Sequence, residues 1–290
     1  MKTYVLYNPL AGNGVGEYRA KLLKRYLPAK ELVFQSVIDI ESYPTFLASI
    51  QEEDEVIVCG GDGTLNRFVN DTDGMEVKNR IYYWATGSGN DFWRDMELGN
   101  ADYPCRVDQL MHRLPVVEVK GKRYHFLNGV GFGIDGYCCE VGDAQRKRSA
   151  KPVNYTSIAI KGLLFYYHPT KATVTVDGTA YAYEKAWLAP CMIGRYYGGG
   201  MMPTPQQDRH SAPGVSLMVL HDCGKAKALH VFRSIFKGEH TKYADVVTVL
   251  SGQTVSVAFD RPTPLQIDGE TISNVLEYRV TVPSAESVAA

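Results

Sequence analysis

Three glycine-rich segments in the first hundred residues combine glycines with polar side chains that could do chemistry. They span residues 8–14 (NPLAGNG), 60–64 (GGDGT) and 87–91 (GSGND). Glycine has no side chain, so the main chain can adopt unusual angles there and a bulky ligand can approach it closely. One such segment is as typical of a plain tight turn as of a binding site. Three of them favour a site that cradles phosphate groups with main-chain amides.

Two acids, Asp62 and Asp91, lie within the second and third segments. A bare carboxylate would repel a nucleotide, so these acids need an explanation of their own. A divalent metal or an acid–base role would offset the repulsion. Capping of a helix that starts at Thr64 explains Asp62 equally well. Position alone leaves both interpretations open.

Short apolar runs precede the glycine-rich segments, which predicts strands that end where the turns begin. Strands are predicted over residues 4–7, 32–37, 55–59 and 81–85, and helices over 17–26, 43–50 and from 64 onward. This repeated order of strand, turn and helix predicts a parallel sheet with helices on both faces. Ligands bind at the carboxyl ends of the strands in such sheets, which is where all three turns would lie.

The pattern changes after residue 115. Alternating apolar and polar residues predict strands over 172–176, 179–192, 215–220, 254–259 and 276–282, and Asp177 with Gly178 is typical of a hairpin turn. Helices are predicted over 153–166 and 225–236. We therefore expect an α/β domain over residues 1–115 and an antiparallel β-sandwich or barrel over 116–290, with a return of the last strand to the first domain left open.

The composition is typical of an ordinary folded protein. The chain has 290 residues, 45% hydrophobic and 22% charged, and its net charge of −1 gives no support for nucleic-acid binding. Six cysteines without zinc-site spacing indicate reduced thiols in a cytoplasmic protein. The first apolar run is too short for a signal peptide, and no stretch is apolar enough to predict a membrane-spanning helix.

The ordered set of motifs resembles the diacylglycerol kinase catalytic-domain family, which includes bacterial lipid kinases and sphingosine kinases. Segment 60–66 (GGDGTLN) resembles its nucleotide motif, and segment 87–92 (GSGNDF) resembles its second glycine element, with Ser88 in place of a threonine. Segments 126–133 (FLNGVGFG), 197–201 (YGGGM) with Pro205, and 267–270 (IDGE) resemble three later motifs. GGDGT alone is shared with NAD kinases, whereas the ordered set is much more specific.

The resemblance implies an N-terminal domain of modified Rossmann type, a C-terminal β-sandwich and an active site in the interdomain cleft. It also implies ATP and Mg²⁺ as cofactors and a lipid alcohol, diacylglycerol-like or long-chain, as the acceptor of the γ-phosphoryl group. Glu270 would be the general base on the lipid hydroxyl, with Asp62 and Asp268 as further catalytic acids. The pattern alone also allows a plain surface turn at 268–270. The residues implied in nucleotide binding are Asn8, Pro9, Gly12, Gly60, Gly61, Asp62, Gly63, Thr64, Asn66, Gly87, Ser88, Asn90 and Asp91.

Two departures from the family pattern bear on activity. Asn13 occupies a position that is often lysine, so Arg19 or Lys21 would have to supply the missing positive charge. Pro213 occupies the position of an acid that helps to bind Mg²⁺ in bacterial members, and a proline side chain cannot ligate a metal. Asp208 is the candidate metal ligand in its place. A weakened or inactive kinase that acts as a nucleotide- or lipid-binding module is therefore one alternative, and an NAD kinase-like enzyme is another.

A lipid substrate would bring the chain to the inner face of a membrane as a peripheral protein. The apolar stripe of the helix predicted over 225–236 could contact lipid or pack in the core, and the basic run at 146–151 could contact headgroups or be solvated. Apolar residues at 158–165 could line an acyl-chain pocket or fill the edge of the sandwich. The sequence does not identify the lipid, and it leaves the oligomeric state open, including a homodimer.

Overall fold

The computed structural model describes residues 1–96, 103–148, 153–210 and 214–283, and the chain groups into two compact units, Met1–Arg113 and Leu114–Ala290. Strands and helices alternate in the first unit, as the sequence pattern predicts. The strands are β1 Thr3–Tyr7, β2 Leu32–Ser36, β3 Glu55–Gly60, β4 Arg80–Ala85 and β5 Cys105–Arg106. The helices are α1 Ala11–Gly14, α2 Gly16–Lys21, α3 Leu23–Tyr26, α4 Tyr43–Ala48, α5 Asp62–Asp71, α6 Asp91–Asp95 and α7 Asp108–Met111.

The strands of the first unit form one sheet in the order β2-β1-β3-β4-β5. The pairs β1–β2, β1–β3 and β3–β4 are parallel, and the short edge strand β5 runs antiparallel to β4. β3 is buried along its whole length, because both faces of a central parallel strand are covered. The chain moves from β1 to one side for β2 and then to the other side for β3. The strand order therefore reverses between β1 and β3, which is the place where α/β sheets bind ligands.

The second unit is dominated by antiparallel strands, as expected. The strands are β6 Val116–Val119, β7 Lys122–His125, β8 Gly129–Phe132, β9 Thr170–Val176, β10 Thr179–Leu188, β11 Cys191–Met192, β12 Val215–His221, β13 Val247–Gly252, β14 Thr254–Ile267 and β15 Glu270–Thr281. The helices are α8 Ile134–Arg148, α9 Tyr155–Lys161 and α10 Lys225–Ile235, and a π-helical turn spans Gly162–Tyr166.

The long strand β14 closes this sheet on itself. Its first half pairs with β9 and its second half pairs with β8, with a shift of register between Ala258 and Thr263. The closed sheet surrounds an apolar core in which the rings of Phe132 and Phe259 stack with centroids 4.1 Å apart. The last strand, β15, pairs with β14 and β6, so it lies in the second unit.

The helix α8 was not predicted from the sequence, and its glycines explain why. Glycine weakens a helical pattern, yet two glycines here allow close packing. A side chain at Gly136 would collide with the carbonyl of Pro264, and one at Gly142 would lie 2.6 Å from the ring of Tyr155. The helix predicted over 17–26 is in fact two short helices that meet at Leu22. None of the described helices is long and apolar enough to span a membrane.

Candidate functional site

Hydrogen bonds that involve side chains join the three glycine turns of the first unit. The Nδ2 atom of Asn8, in the first turn, donates to Oγ1 of Thr64, in the second, at 3.0 Å. The Nη1 atom of Arg19 donates to the carbonyl oxygen of Thr86, next to the third turn, at 2.8 Å. The turns therefore form one connected structure at the carboxyl ends of β1, β3 and β4.

Asp62 links the second turn to the third. Its Oδ2 accepts the N–H of Asp91 at 2.8 Å, and its Oδ1 accepts the N–H of Phe92 at 3.3 Å. The side chain thus caps α6, whereas α5 begins at Asp62 itself with Gly61 at its N-cap. The interpretation of Asp62 as the cap of a helix starting at Thr64 is wrong, because its carboxylate lies at the start of a different helix.

Two glycines meet where the second and third turns touch. A Cβ at Gly87 would lie closer to the Cα of Gly61 than any non-bonded contact allows. The main-chain N–H groups of Thr86 and Gly87 both donate to the carbonyl of Gly60, at 2.8 and 3.2 Å. These glycines allow two main chains to pack directly against each other, a role that the sequence pattern did not distinguish from ligand approach.

The helix that follows the second turn presents main-chain donors that suit a phosphate-bearing ligand. The hydroxyl of Thr86, next to the third turn, is buried and has no hydrogen-bond partner among the described residues. The first N–H groups of a helix have no partner within it, and Gly63 lies exposed in the first turn of α5. Donors at a helix N-terminus favour anions, so the binding of phosphates at this edge stays a prediction with a physical basis.

Arg19, rather than Lys21, places positive charge beside the turns. Gly12 has a φ of +59°, and a Cβ there would lie 3.0 Å from Nη1 of Arg19, so the guanidinium lies against the first turn. Lys21 instead pairs with Glu17 at 2.6 Å one helical turn away. The carboxylate of Glu17 raises the pKa of Lys21, so the lysine stays charged and its Nζ is held at Glu17.

The acid-glycine-acid segment of the second unit forms the tight turn that the sequence predicts. Asp268 and Gly269 have φ values of +46° and +94°, and they join β14 to β15 through the pair Ile267 and Glu270. Two central residues with positive φ are typical of a two-residue hairpin turn.

The carboxylate of Asp268 accepts three main-chain N–H groups. They belong to Leu127 at 2.5 Å, Asn128 at 2.9 Å and Gly129 at 3.0 Å. Burial raises the pKa of Asp268, while these amides and the charge of Arg209 act in the opposite direction. Asp268 therefore holds the segment that leads into β8, and its participation in catalysis stays a prediction.

Sequence reasoning missed Arg209. Its Nη1 donates to the carbonyl oxygen of Leu127 at 2.9 Å, and its Nη2 donates to Oδ1 of Asn128 at 3.2 Å. Arg209 binds acceptor oxygens of this short segment, and Asp268 binds its main-chain N–H donors. The two side chains together hold the segment in place. The neighbouring sequence gave no signal for this, since Arg209 is a single cation in an irregular segment.

Glu270 differs from Asp268 in its surroundings. It is the first residue of β15 and is exposed. No hydrogen bond or ion pair engages its carboxylate within the described part of the chain. Glu270 is thus the acid of this turn whose carboxylate is available to a ligand.

A second acid of this unit, Asp135, was also missed. It is buried in the first turn of α8, and its Oδ1 accepts the N–H of Gly136 at 2.9 Å. Burial raises the pKa of Asp135 to about 7, and its Oδ2 has no hydrogen-bond partner among the described residues. Tyr197 begins the glycine segment 197–201, whose three glycines all have positive φ.

The predicted metal ligand, Asp208, is exposed, and its Oδ1 accepts the N–H of His210 at 2.9 Å. The prediction based on Pro213 falls on residues 211–213, outside the described residues. Within the part of the chain that the structure describes, no three His, Cys, Asp or Glu side chains cluster to hold a metal ion. The metal-ligand role of Asp208 therefore stays a prediction, and we assign no catalytic step to a metal.

Comparisons with known proteins agree with this architecture. Among curated proteins, a diacylglycerol kinase of Mycobacterium tuberculosis is 25% identical over 268 residues, covering 88% of this chain and 84% of that protein. A diacylglycerol kinase of Staphylococcus carnosus is 24% identical over 279 residues, with 92% and 87% covered. A solved diacylglycerol kinase structure from Bacillus anthracis str. Sterne matches with a TM-score of 0.61 and 17% identity, covering 97% of this chain and 93% of that one.

Family models match nearly the whole chain. The model described as diacylglycerol kinase catalytic domain matches residues 2–119. The model described as YegS C-terminal NAD kinase beta sandwich-like domain matches residues 128–290, more than half of the chain. The parallel sheet with its glycine turns and the closed antiparallel sheet correspond to these two domains. The chain belongs to the diacylglycerol kinase catalytic-domain family, with a C-terminal domain of the YegS type.

Proposed function

We propose that this protein is an ATP- and Mg²⁺-dependent lipid kinase whose acceptor is the hydroxyl of a diacylglycerol-like or long-chain lipid alcohol. The observation that carries the proposal is the joining of three glycine turns at one edge of a parallel sheet, in a chain of this family. Phosphoryl transfer depends mainly on positioning and charge neutralisation, which such turns supply.

The two units contribute different parts of the chemistry in this proposal. ATP supplies the transferable phosphoryl group when it is bound. Main-chain amides around Gly61 and Gly63 would hold its phosphates, and Arg19 would add the positive charge that Asn13 lacks. Glu270 would accept the proton of the lipid hydroxyl, because its carboxylate is exposed. Asp268 would position the neighbouring main chain.

A transfer assay tests the proposal. Purified protein is incubated with labelled ATP, Mg²⁺ and either a panel of lipid alcohols or NAD. We expect label in lipid, and Glu270→Gln should abolish this transfer while it leaves the affinity for ATP nearly unchanged. Glu277→Gln, an exposed acid on the same strand, is the matched control and should retain activity.

Other outcomes of this assay would contradict the proposal. Label in NAD would indicate an NAD kinase-like enzyme, and tight nucleotide or lipid binding without transfer would indicate a binding module. Full activity of the Glu270→Gln variant would remove Glu270 from the mechanism.

A further inference from the structure

Two neighbouring aromatic side chains project from the second unit. Phe165 and Tyr166 are each 66% exposed, and their rings meet edge to face with centroids 6.3 Å apart. They lie in the π-helical turn Gly162–Tyr166, two residues after Leu163, which is fully buried. An adjacent pair of exposed aromatic rings is a small apolar patch, which is typical of an interaction surface.

The segment that carries this pair is firmly anchored. The N–H of Tyr167 donates to the carbonyl of Gly162 at 2.8 Å, and Nζ of Lys225 donates to the carbonyl of Leu164 at 2.9 Å. Tyr167 is buried, with its ring beside that of Trp187 at 6.3 Å between centroids. The exposure of the two rings is therefore built into the fold and does not result from a loose loop tip.

The chain segments that carry and adjoin the pair are basic in sequence, although Lys171 and Lys227 form ion pairs with Glu184 and Asp245. Residues 144–176 contain six Lys or Arg and no Asp or Glu. The chain has 32 acids in 290 residues, so a stretch of this length would hold about three or four at the average frequency. Residues 223–238, which include α10, contain four more Lys or Arg and again no acid.

Two of these cations flank the aromatic pair. Lys161 ends α9 just before the turn, and Lys225 bonds to the turn at Leu164. Both are exposed, and neither forms an ion pair with a described residue. The aromatic–basic surface consists of Lys161, Phe165, Tyr166 and Lys225.

The apolar stripe considered from the sequence lies mostly in the core. Phe232 and Ile235 of α10 are buried in a core cluster and Leu229 packs against it, while Phe236, just after α10, is 40% exposed. In the basic run at 146–151, Arg146 pairs with Asp143, and Lys151 lies outside the described residues. In the aromatic–basic surface, by contrast, the two aromatic rings are exposed and the two lysines form no ion pair with a described residue.

We propose that the aromatic–basic surface docks on an anionic lipid bilayer. Aromatic rings favour the level of the headgroups, where one part of the ring is apolar and its surroundings are wet. Lysine side chains are attracted to anionic lipids. Two exposed lysines on separate segments, Lys161 and Lys225, match a flat surface of uniform negative charge. The proposal rests on the proposed function, since a kinase for lipid alcohols has to reach its acceptor at a membrane.

Vesicle co-sedimentation tests this proposal on the full chain. Vesicles of phosphatidylcholine alone are compared with vesicles that also contain phosphatidylglycerol. The double variant Phe165→Ser, Tyr166→Ser should lower partitioning at least about tenfold, because apolar area no longer enters the interface. Lys161→Gln should lower it about fivefold, and only on the anionic vesicles.

A matched control and a separate activity assay make the outcomes distinguishable. Leu276→Ser removes a side chain that is 52% exposed on β15 of the same unit, and it should leave partitioning unchanged. Transfer to a detergent-solubilised lipid alcohol reports on the kinase proposal alone. The docking proposal is overturned if the wild-type protein does not bind anionic vesicles. It is equally overturned if the double variant and Lys161→Gln bind these vesicles as tightly as wild type does. It is also overturned if the two rings mediate self-association in solution and not vesicle binding.

Discussion

Removal of the charge should affect protein stability at one acid of the turn at 268–270 and not at the other. Asp268→Asn is expected to destabilise the second unit, because the Asp268 carboxylate accepts three main-chain N–H groups. Glu270→Gln is expected to leave stability within about 0.5 kcal/mol, because an exposed surface side chain is changed. Comparison of the two variants separates the positioning role of Asp268 from the chemical role proposed for Glu270.

The size of the Asp268→Asn effect follows from the two carboxylate oxygens. Oδ1 accepts from Asn128 and Gly129, and Oδ2 accepts from Leu127. An asparagine that keeps its oxygen in the Oδ1 position turns its NH₂ group toward the Leu127 N–H, which leaves that donor unsatisfied at a cost of about 1–3 kcal/mol. The two remaining bonds lose their charge assistance, at about 1 kcal/mol each. The total is about 3–5 kcal/mol.

Urea denaturation measures this difference, and hydrogen exchange of the peptide containing residues 126–130 locates it. We expect a lower midpoint for Asp268→Asn and faster exchange in that peptide, with Glu270→Gln indistinguishable from wild type in both. If the free energy of unfolding of Asp268→Asn lies within about 0.5 kcal/mol of wild type, the reasoning is refuted. The three hydrogen bonds of the carboxylate would then contribute too little to stability.

Three further predictions concern the turns and the buried acid. Gly87→Ala should cost about 2–3 kcal/mol in a urea titration and weaken ATP binding, because the new methyl group collides with Gly61; unchanged binding would contradict this. Arg19→Gln should raise the Kd for ATP about tenfold in calorimetry, whereas Lys21→Gln should not, since that charge is already paired. Burial raises the pKa of Asp135 to about 7, so the folded chain keeps a proton that the unfolded chain loses near pH 4. Between about pH 4 and about pH 8, wild type should therefore lose up to about 4 kcal/mol more of its unfolding free energy than Asp135→Asn does. Parallel urea titrations measure this difference, and the same dependence of stability on pH in both proteins would contradict the prediction.

The four parallel strands of the first unit could be predicted because each is encoded locally, whereas β5, α6 and α7 were not predicted. The residues of β3 form a continuous apolar run, and a glycine turn follows it at once. The hairpin turn at Asp268 and Gly269 was predictable for the same reason, since a two-residue turn needs residues that tolerate positive φ. By contrast α8 escaped prediction, because the need for Gly136 arises from β14, more than a hundred residues away.

The partners of the site residues could not be predicted, because they are set by tertiary contacts. Asp62 bonds to amides 29 and 30 residues further along the chain, and Asp268 bonds to amides about 140 residues earlier. Nothing in the spacing within either motif distinguishes a carboxylate that holds main chain from one that reacts. Asp135 escaped attention for a similar reason, since its burial depends on how α8 packs.

The two motif acids Asp62 and Asp268 perform the same physical task. Each accepts consecutive main-chain N–H groups from another motif: Asp62 binds the start of α6 in segment 87–92, and Asp268 binds segment 126–133. The motifs of this chain are therefore coupled in pairs, so a change in one should first disturb the main chain of its partner. Loss of activity after substitution of either acid would not by itself identify a catalytic group. Among the three acids assigned to catalysis from the sequence, Glu270 is the one whose carboxylate holds no main-chain N–H group within the described residues, and the chemistry of the proposed transfer falls to it.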